Sequence, residues 1–300
     1  MKIFVAGATG FVGQALLKQL NEQQIEVRCL VRARSRGKTP TFPGVSIHEG
    51  DATQAASLQD GLRGCDAVIN LIGIIRAFPA RGISFQALHI DATRNLIAAA
   101  EEQGVGRFVQ MSANGVRTGA VTDYHRSKWK AEQTLKASSL DWTIFRPSLI
   151  YGPGDQFVNM LAGMIRRLPV IPVLGDGRYQ MQPVSVTQVA RGFVRALDTD
   201  ASIGRTYHCG GTRPLSYNDI LDQIGAALGK KRVRKLHHPL FLMRPVIRAM
   251  EGFSAFPVTT GQLEMLLEGN VCDPSPWQKA FAIEQAPFAE EIATYLTPRS

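Results

Sequence analysis

The sequence has only four cysteines, and Cys29, Cys65, Cys209 and Cys272 lie far apart with no Cys-x-x-Cys pair. That spacing signals neither a zinc site nor a disulfide framework, so buried thiols in a reducing compartment are expected. Long hydrophobic runs are missing as well. No uninterrupted apolar stretch reaches the roughly 18 residues of a membrane-crossing helix, and no charged, apolar and small leader precedes the first strand, so the chain is expected in the cytoplasm. The histidines are scattered without ligand spacing, and no metal is expected. Acid is lacking in two places. Residues 28–38 hold Arg28, Arg32, Arg34, Arg36 and Lys38, and residues 229–250 hold Lys230, Lys231, Arg232, Arg234, Lys235, Arg244 and Arg248, with no Asp or Glu in either stretch. These clusters outweigh the net charge of +9, so the basicity is local. No stripe of basic and aromatic residues on a recognisable module accompanies them, and nucleic acid is not an expected partner.

What is present begins at residue 1. The apolar run Lys2-Ile-Phe-Val-Ala6 leads into Gly7, Gly10 and Gly13 and then into the helix-like Gln14-Ala-Leu-Leu-Lys-Gln-Leu20. Gly7 permits a tight strand-to-helix turn, Gly10 lets backbone N–H groups approach a pyrophosphate, and Gly13 lets the helix pack closely on the sheet. The helix N-terminus favours the negative charge. Spaced glycines alone are weak evidence, but between a strand and a helix they predict a dinucleotide-binding βαβ unit.

Strands are expected near 2–6, 25–31, 45–48, 66–72, 107–111 and 142–146, with helices near 11–22, 54–62, 84–103 and 123–138. This alternation predicts an α/β fold, a doubly wound parallel sheet with ligand at the carboxyl ends of its strands. After Arg146-Pro147-Ser148 the texture becomes rich in loops, with amphipathic segments near 186–198 and 216–228. Residues 1–154 are therefore read as the nucleotide domain, with later elements near 181–212 returning to it, and 155–300 mainly as a smaller C-terminal cap or substrate domain. The 300 residues are enough for a sizeable core.

A second chemical signal is Tyr124-His-Arg-Ser-Lys128, which a helix would place on one face at i, i+4. Proton transfer from tyrosine at neutral pH asks for a shift of roughly three pH units, about 4 kcal/mol, and burial pushes the wrong way. An ammonium at about 4 Å in an effective dielectric of about 20 supplies an attraction of that order. A surface helix that happens to carry Tyr and Lys is the plainer alternative, and the upstream glycines weigh against it.

These residues resemble the short-chain dehydrogenase/reductase superfamily. Its motifs follow here in order as Gly7-x-x-Gly10-x-x-Gly13, Asn70-Leu-Ile-Gly73, Phe108-Val-Gln-Met-Ser112, Tyr124 with Lys128, and Arg146-Pro-Ser-Leu-Ile-Tyr-Gly-Pro-Gly-Asp155. The order is that of its extended and atypical members. Asn70-Leu-Ile-Gly-Ile, Arg107-Phe-Val-Gln-Met-Ser-Ala, Gln182-Pro-Val-Ser-Val and the apolar tail with Arg and Pro near 239–250 look most like the branch of the dehydrogenase-like accessory subunit of respiratory complex I and its bacterial relatives. The resemblance implies an NAD(P)-binding Rossmann fold, with Tyr124 as general acid/base, Lys128 lowering its pKa and holding the nicotinamide ribose, and Ser112 as a carbonyl-orienting donor. It places cofactor contacts on Gly7, Thr9, Gly10, Phe11, Val12 and Gly13, on Arg32 and Arg34, on Asp51 and Ala52, on Leu71, Ile72 and Gly73, and on Met111, Tyr124, Lys128 and Pro147. Two positions depart from the pattern. Ser112 is followed by Ala113 and Asn114 rather than by further serines, and His89 stands where an Asn is common, as a hydrogen-bonded core residue more readily than as a catalyst.

Cofactor choice turns on the end of the second strand, where an acid would bind a ribose 2′-hydroxyl. Val31 takes that place and Arg32, Arg34, Arg36 and Lys38 follow, a loop suited to a 2′-phosphate unless it is merely solvated, so NADP(H) is expected over NAD(H). Three functions stay open: an NADPH-dependent oxidoreductase acting on a carbonyl, a non-catalytic NADPH-binding accessory or assembly factor on a membrane respiratory complex, and a nucleotide-sugar epimerase or dehydratase. Gln188, where the last class carries Asp, and the Arg32 loop count against that class. Apolar residues beside cations in 230–250 suit peripheral contact with the inner face of a membrane or with a membrane complex, or else a packed cap helix.

Overall fold

The computed structural model describes residues 1–253, 256 and 258–297. The chain opens with β1 (Lys2–Ala6), α1 (Phe11–Glu22), β2 (Glu26–Val31), β3 (Val45–Glu49) and β4 (Ala67–Asn70). It continues through α2 (Ala92–Glu102), β5 (Arg107–Met111), α3 (Asp123–Lys136) and β6 (Asp141–Pro147). Next come β7 (Ile150–Tyr151), α4 (Phe157–Arg167), β8 (Ile171–Leu174), β9 (Gln180–Met181), β10 (Val184–Ser185) and α5 (Val186–Ala196). The remainder comprises β11 (Arg205–Cys209), β12 (Leu215–Ser216), α6 (Tyr217–Ala227), β13 (Lys235–His238), α7 (Leu240–Met250), α8 (Thr260–Leu267), α9 (Ser275–Ala280) and α10 (Phe288–Leu296).

These elements form two compact units, the first made of Met1–Pro147, Val186–Cys209 and Pro274–Ile283. Its seven-stranded sheet runs β11-β6-β5-β4-β1-β2-β3, with every neighbouring pair parallel. The fold is thus the expected doubly wound α/β sheet, and its order reverses between β1 and β4. Both faces are covered, as the continuous apolar runs require. Phe4, Val68, Phe108 and Ile144 pack with Leu96, Ala100 and Leu135 in one core. In β6, Phe145 points away from its neighbour Ile144 and stacks edge to face on Phe193 of α5 at 4.8 Å and on Phe281 at 5.1 Å. The segment after Asp273 therefore belongs to the sheet: Trp277 is fully buried, and a Cβ at Gly192 would lie 2.7 Å from its indole nitrogen.

Two helices expected from the sequence come out differently. Residues 54–62 form only a 3₁₀ turn, Ala55–Leu58, followed by turns in which Gly61 packs so close to His48 that a Cβ there would lie 2.9 Å from its ring. The span 84–103 divides into a π-helical stretch, Gln86–Asp91, and α2. The wider turn is where buried His89 makes its hydrogen bonds to other segments.

The second unit comprises Ser148–Ser185, Gly210–Asp273 and the chain from Glu284. Val158, Leu161 and Ile165 of α4 share a core with Ile220, Leu221 and Ile224 of α6 and Ile292 and Leu296 of α10. β13 pairs in parallel with β8 and leads directly into α7. No described helix is long and apolar enough to cross a membrane.

Candidate functional site

The glycines occupy the carboxyl end of β1. Gly7 has φ +89°, and a Cβ on it would meet the Leu71 carbonyl carbon at 2.9 Å, so only glycine fits. A Cβ on Gly13 would lie 2.4 Å from the Gly7 oxygen, which makes Gly13 the residue that lets α1 approach the turn. Gly10 is the N-cap of α1, and its N–H closes the turn on Gly7 O at 3.1 Å. The first turn, with Phe11, Val12 and Gly13, has neither a side-chain cap nor an acid. Its N–H groups and dipole are therefore available to an anion, and the cradle fits a pyrophosphate. Thr9 lies in the same turn, its carbonyl 3.4 Å from the Gln14 amide.

The neighbouring strand ends supply the rest. β2 pairs with β1 with Leu30 opposite Ala6, which puts exposed Arg32 and Arg34 just past the strand end beside the glycine turn. Asp51 follows β3. Its Oδ1 accepts from the Thr53 backbone and hydroxyl, while the carbonyl of buried Ala52 receives the Asn95 amide. After β4, the Leu71 N–H donates to Ala6 O and the Ile72 N–H donates to Asn70 Oδ1. Pro147 ends β6, and its carbonyl accepts from the Asn114 N–H.

Lys128, on α3, is 2 % exposed and donates to Ile72 O at 3.2 Å and Met111 O at 3.1 Å, bridging the carboxyl ends of β4 and β5. A Cβ at Gly73 would come 3.0 Å from its ammonium, so that glycine makes room for the charge. Burial draws the Lys128 pKa down to about 8, opposed by the Glu132 carboxylate one turn later. Tyr124, one turn earlier, packs edge to face on His89 and His125, with Phe85 at 6.1 Å. Burial pushes its phenol up to about 12. The Lys128 ammonium is held by two carbonyls one turn from this phenol. Ser112, just beyond β5, donates its N–H to Phe145 O, while its buried hydroxyl has no hydrogen-bond partner.

Several buried polar residues hold this arrangement, and of them the sequence offers only His89 for such a role. Asn70 reaches from β4 to Gln110 at 2.9 Å and Thr93 at 3.2 Å. Glu132, fully buried, takes a bidentate pair from Arg146 at 2.9 and 2.6 Å. His89 accepts the Ile74 N–H on Nε2 and donates Nδ1–H to Ser127, whose hydroxyl donates in turn to Tyr124 O. Burial, then the Lys128 charge, hold His89 down to about 2, so it is a neutral tether. Polar letters inside otherwise apolar strands, Asn70 and Gln110, were the available signal. Among the described residues no cluster could hold a metal ion.

Known proteins place this geometry. Residues 7–200 match the family described as NAD(P)H-binding. The Arabidopsis thaliana protein named NADH dehydrogenase (ubiquinone) 1 alpha subcomplex subunit 9, mitochondrial, is 32% identical over 73% of this chain, which spans only 56% of that protein. The 2-alkyl-3-oxoalkanoate reductase of Stenotrophomonas maltophilia is 30% identical over 78% of each chain. Among solved structures, MoeE5 in complex with UDP-glucuronic acid and NAD superposes with a TM-score of 0.78 at 20% identity, over 99% of this chain and 98% of that one, a likeness of fold. The glycine cradle and the match across both halves of the sheet agree, and the chain belongs to the NAD(P)H-binding family of extended short-chain dehydrogenase/reductase type.

Proposed function

We propose that this chain is an NADPH-dependent reductase of a carbonyl substrate. The observation that carries the reading is the Lys128 ammonium held at the carboxyl ends of β4 and β5, with Tyr124 one helical turn before it on α3. Bound here, the reduced nicotinamide would supply the hydride. The chain's own residues handle the oxygen. Tyr124, its phenol protonated at neutral pH, gives that proton to the oxygen as the alcohol forms, and Lys128 one turn on along α3 is the charge that favours the tyrosinate left behind. Ser112 is the unpaired hydroxyl that orients the carbonyl, and Lys128 holds the ribose hydroxyls. Gly7, Thr9, Gly10, Phe11, Val12 and Gly13 hold the pyrophosphate. Asp51 and Ala52 would hold the adenine, and Leu71, Ile72, Gly73, Met111 and Pro147 the nicotinamide half. Arg32 and Arg34 take the 2′-phosphate, which sets NADPH above NADH. An epimerase or dehydratase is disfavoured by that basic loop and by Gln188 in place of an acid.

The substrate class to try first is the 3-oxoalkanoates, after the name of the Stenotrophomonas relative. A turnover screen with NADPH, followed by Tyr124→Phe, tests the assignment. The variant binds NADPH normally and loses about 10²–10⁴ in the single-turnover rate. An undiminished rate removes the acid/base role. Tight NADPH binding without turnover of any carbonyl favours a non-catalytic role in a larger assembly, in line with the Arabidopsis relative, which is named as a subunit.

A further inference from the structure

The stretch from Gly229 to Met250 lies outside the nucleotide unit, and its cations serve nothing in the proposed reaction. A cleft of about 590 Å³ opens there, lined by Lys230, Lys231, Arg232 and His237 with Asn218 and Asp222. Asp222 is already paired with Lys235 at 2.5 Å, and His237 meets Asn218 at 3.2 Å, while Lys230, Lys231 and Arg232 are exposed to solvent. Such a cleft suits a phosphate.

The helix that follows is built in rows. Along α7, Met243 and Ile247 face inward, and Ile247 is 1 % exposed. Leu242, Val246 and Met250, each four residues from the next, form an outer row with 54, 46 and 39 % of their surface exposed, and Phe241 reaches 74 %. Arg244 and Arg248 form a third row on the opposite side of the helix from Leu242, Val246 and Met250, next to Phe241, and Arg244 lies 3.5 Å from Glu264. Cleft and helix adjoin across one turn of chain. A Cβ at Gly175 would press on Leu240 at 3.2 Å, and one at Gly177 on Asn218 at 2.6 Å.

We propose that α7 is an interfacial helix that lies flat on an anionic phospholipid bilayer, with Phe241, Leu242 and Val246 at the acyl boundary and the cations that flank Phe241 and precede the helix on lipid phosphates. At 11 residues, with Pro245 inside it, the helix is too short to span and long enough to lie in the interface. Charge identifies the occupant: residues 229–250 hold seven cations and no acid, and of these, among the described residues, only Lys235 and Arg244 meet a carboxylate from outside the stretch, Asp222 and Glu264. A second copy of this chain is disfavoured, because a two-fold contact across the face would set these cations against themselves.

The test is flotation of the full chain with phosphatidylcholine vesicles, with and without phosphatidylglycerol. Binding is expected only to the anionic vesicles and to weaken with salt. Arg244→Gln with Arg248→Gln lowers it by about thirtyfold, at about fivefold per cation. Leu242→Ser with Val246→Ser, which changes exposed side chains only, also releases the protein while its thermal melt stays unchanged. In a parallel measurement that keeps the apolar row intact, Phe241→Trp adds a blue-shifting fluorescence component when anionic vesicles are present. No flotation at low salt, equal binding to neutral vesicles, or an unshifted emission from the Phe241→Trp variant overturns the proposal. So does a dimer in light scattering that Leu242→Ser dissolves, which assigns the face to a second copy.

Discussion

Ser112 places an unpaired hydroxyl where a buried polar group ordinarily finds a partner, and that sets the outcome of removing it. Ser112→Ala deletes no hydrogen bond of the folded protein, so its melting temperature stays within about a degree or rises, whereas turnover falls by about 10²–10³ if the hydroxyl orients the reacting oxygen. A destabilised variant with unchanged turnover would make Ser112 a packing residue. Arg32 is the opposite case, an exposed side chain with little to contribute until a phosphate arrives. Arg32→Ala costs about 1.5–3 kcal/mol of NADPH affinity by titration calorimetry and leaves NADH affinity unchanged. Equal losses for both cofactors would withdraw the 2′-phosphate assignment.

The π-helical stretch before α2 carries a pH signature of its own. His89 stays neutral in the fold down to about pH 2, whereas in the unfolded chain it protonates near 6.5. The unfolded state therefore binds more protons between those values. The contribution of His89 to stability is complete above pH 6.5 and is lost as pH falls, by up to about 1.4 kcal/mol per pH unit. Denaturant unfolding of His89→Asn between pH 7.5 and 4.5 shows a shallower acid slope than the native chain, and parallel slopes would mean that His89 becomes charged in the fold. The same element marks the limit of what the sequence told. Gly7, Gly10 and Gly13 were readable because a turn's demands are local, and Tyr124 and Lys128 because a helix fixes their spacing. The His89 to Ser127 bond and the Asn70 to Gln110 bond join residues 38 and 40 apart and exist only once helix packing and strand register bring them together. The 54–62 segment, read as a helix, is one 3₁₀ turn whose continuation packs Gly61 against His48, a tertiary contact that sequence spacing does not reveal.

The two units are interleaved rather than sequential, and the first is completed by residues encoded near the end of the chain. Trp277 and Phe281 are buried on the β6 and β11 side of the sheet, and Arg195 of α5 donates to the Ala282 carbonyl at 2.7 Å. Losing either aromatic side chain costs about 3–5 kcal/mol, against a total stability of about 5–15 kcal/mol. A chain ending at Asp273 accordingly gives no cooperative melt of the nucleotide unit by circular dichroism, and Trp277→Ala in the full chain lowers the transition markedly. A transition of unchanged midpoint in the shortened chain would show that α9 is dispensable.

This late-encoded plug also sets a schedule for biosynthesis. At about 5–20 residues per second, the ribosome delivers α9 some 3–15 s after β11. Throughout that interval the aromatic face formed by Phe145, Phe193 and Tyr207 lacks its cover. The nascent chain thus presents an uncovered aromatic face until α9 is free to close on it.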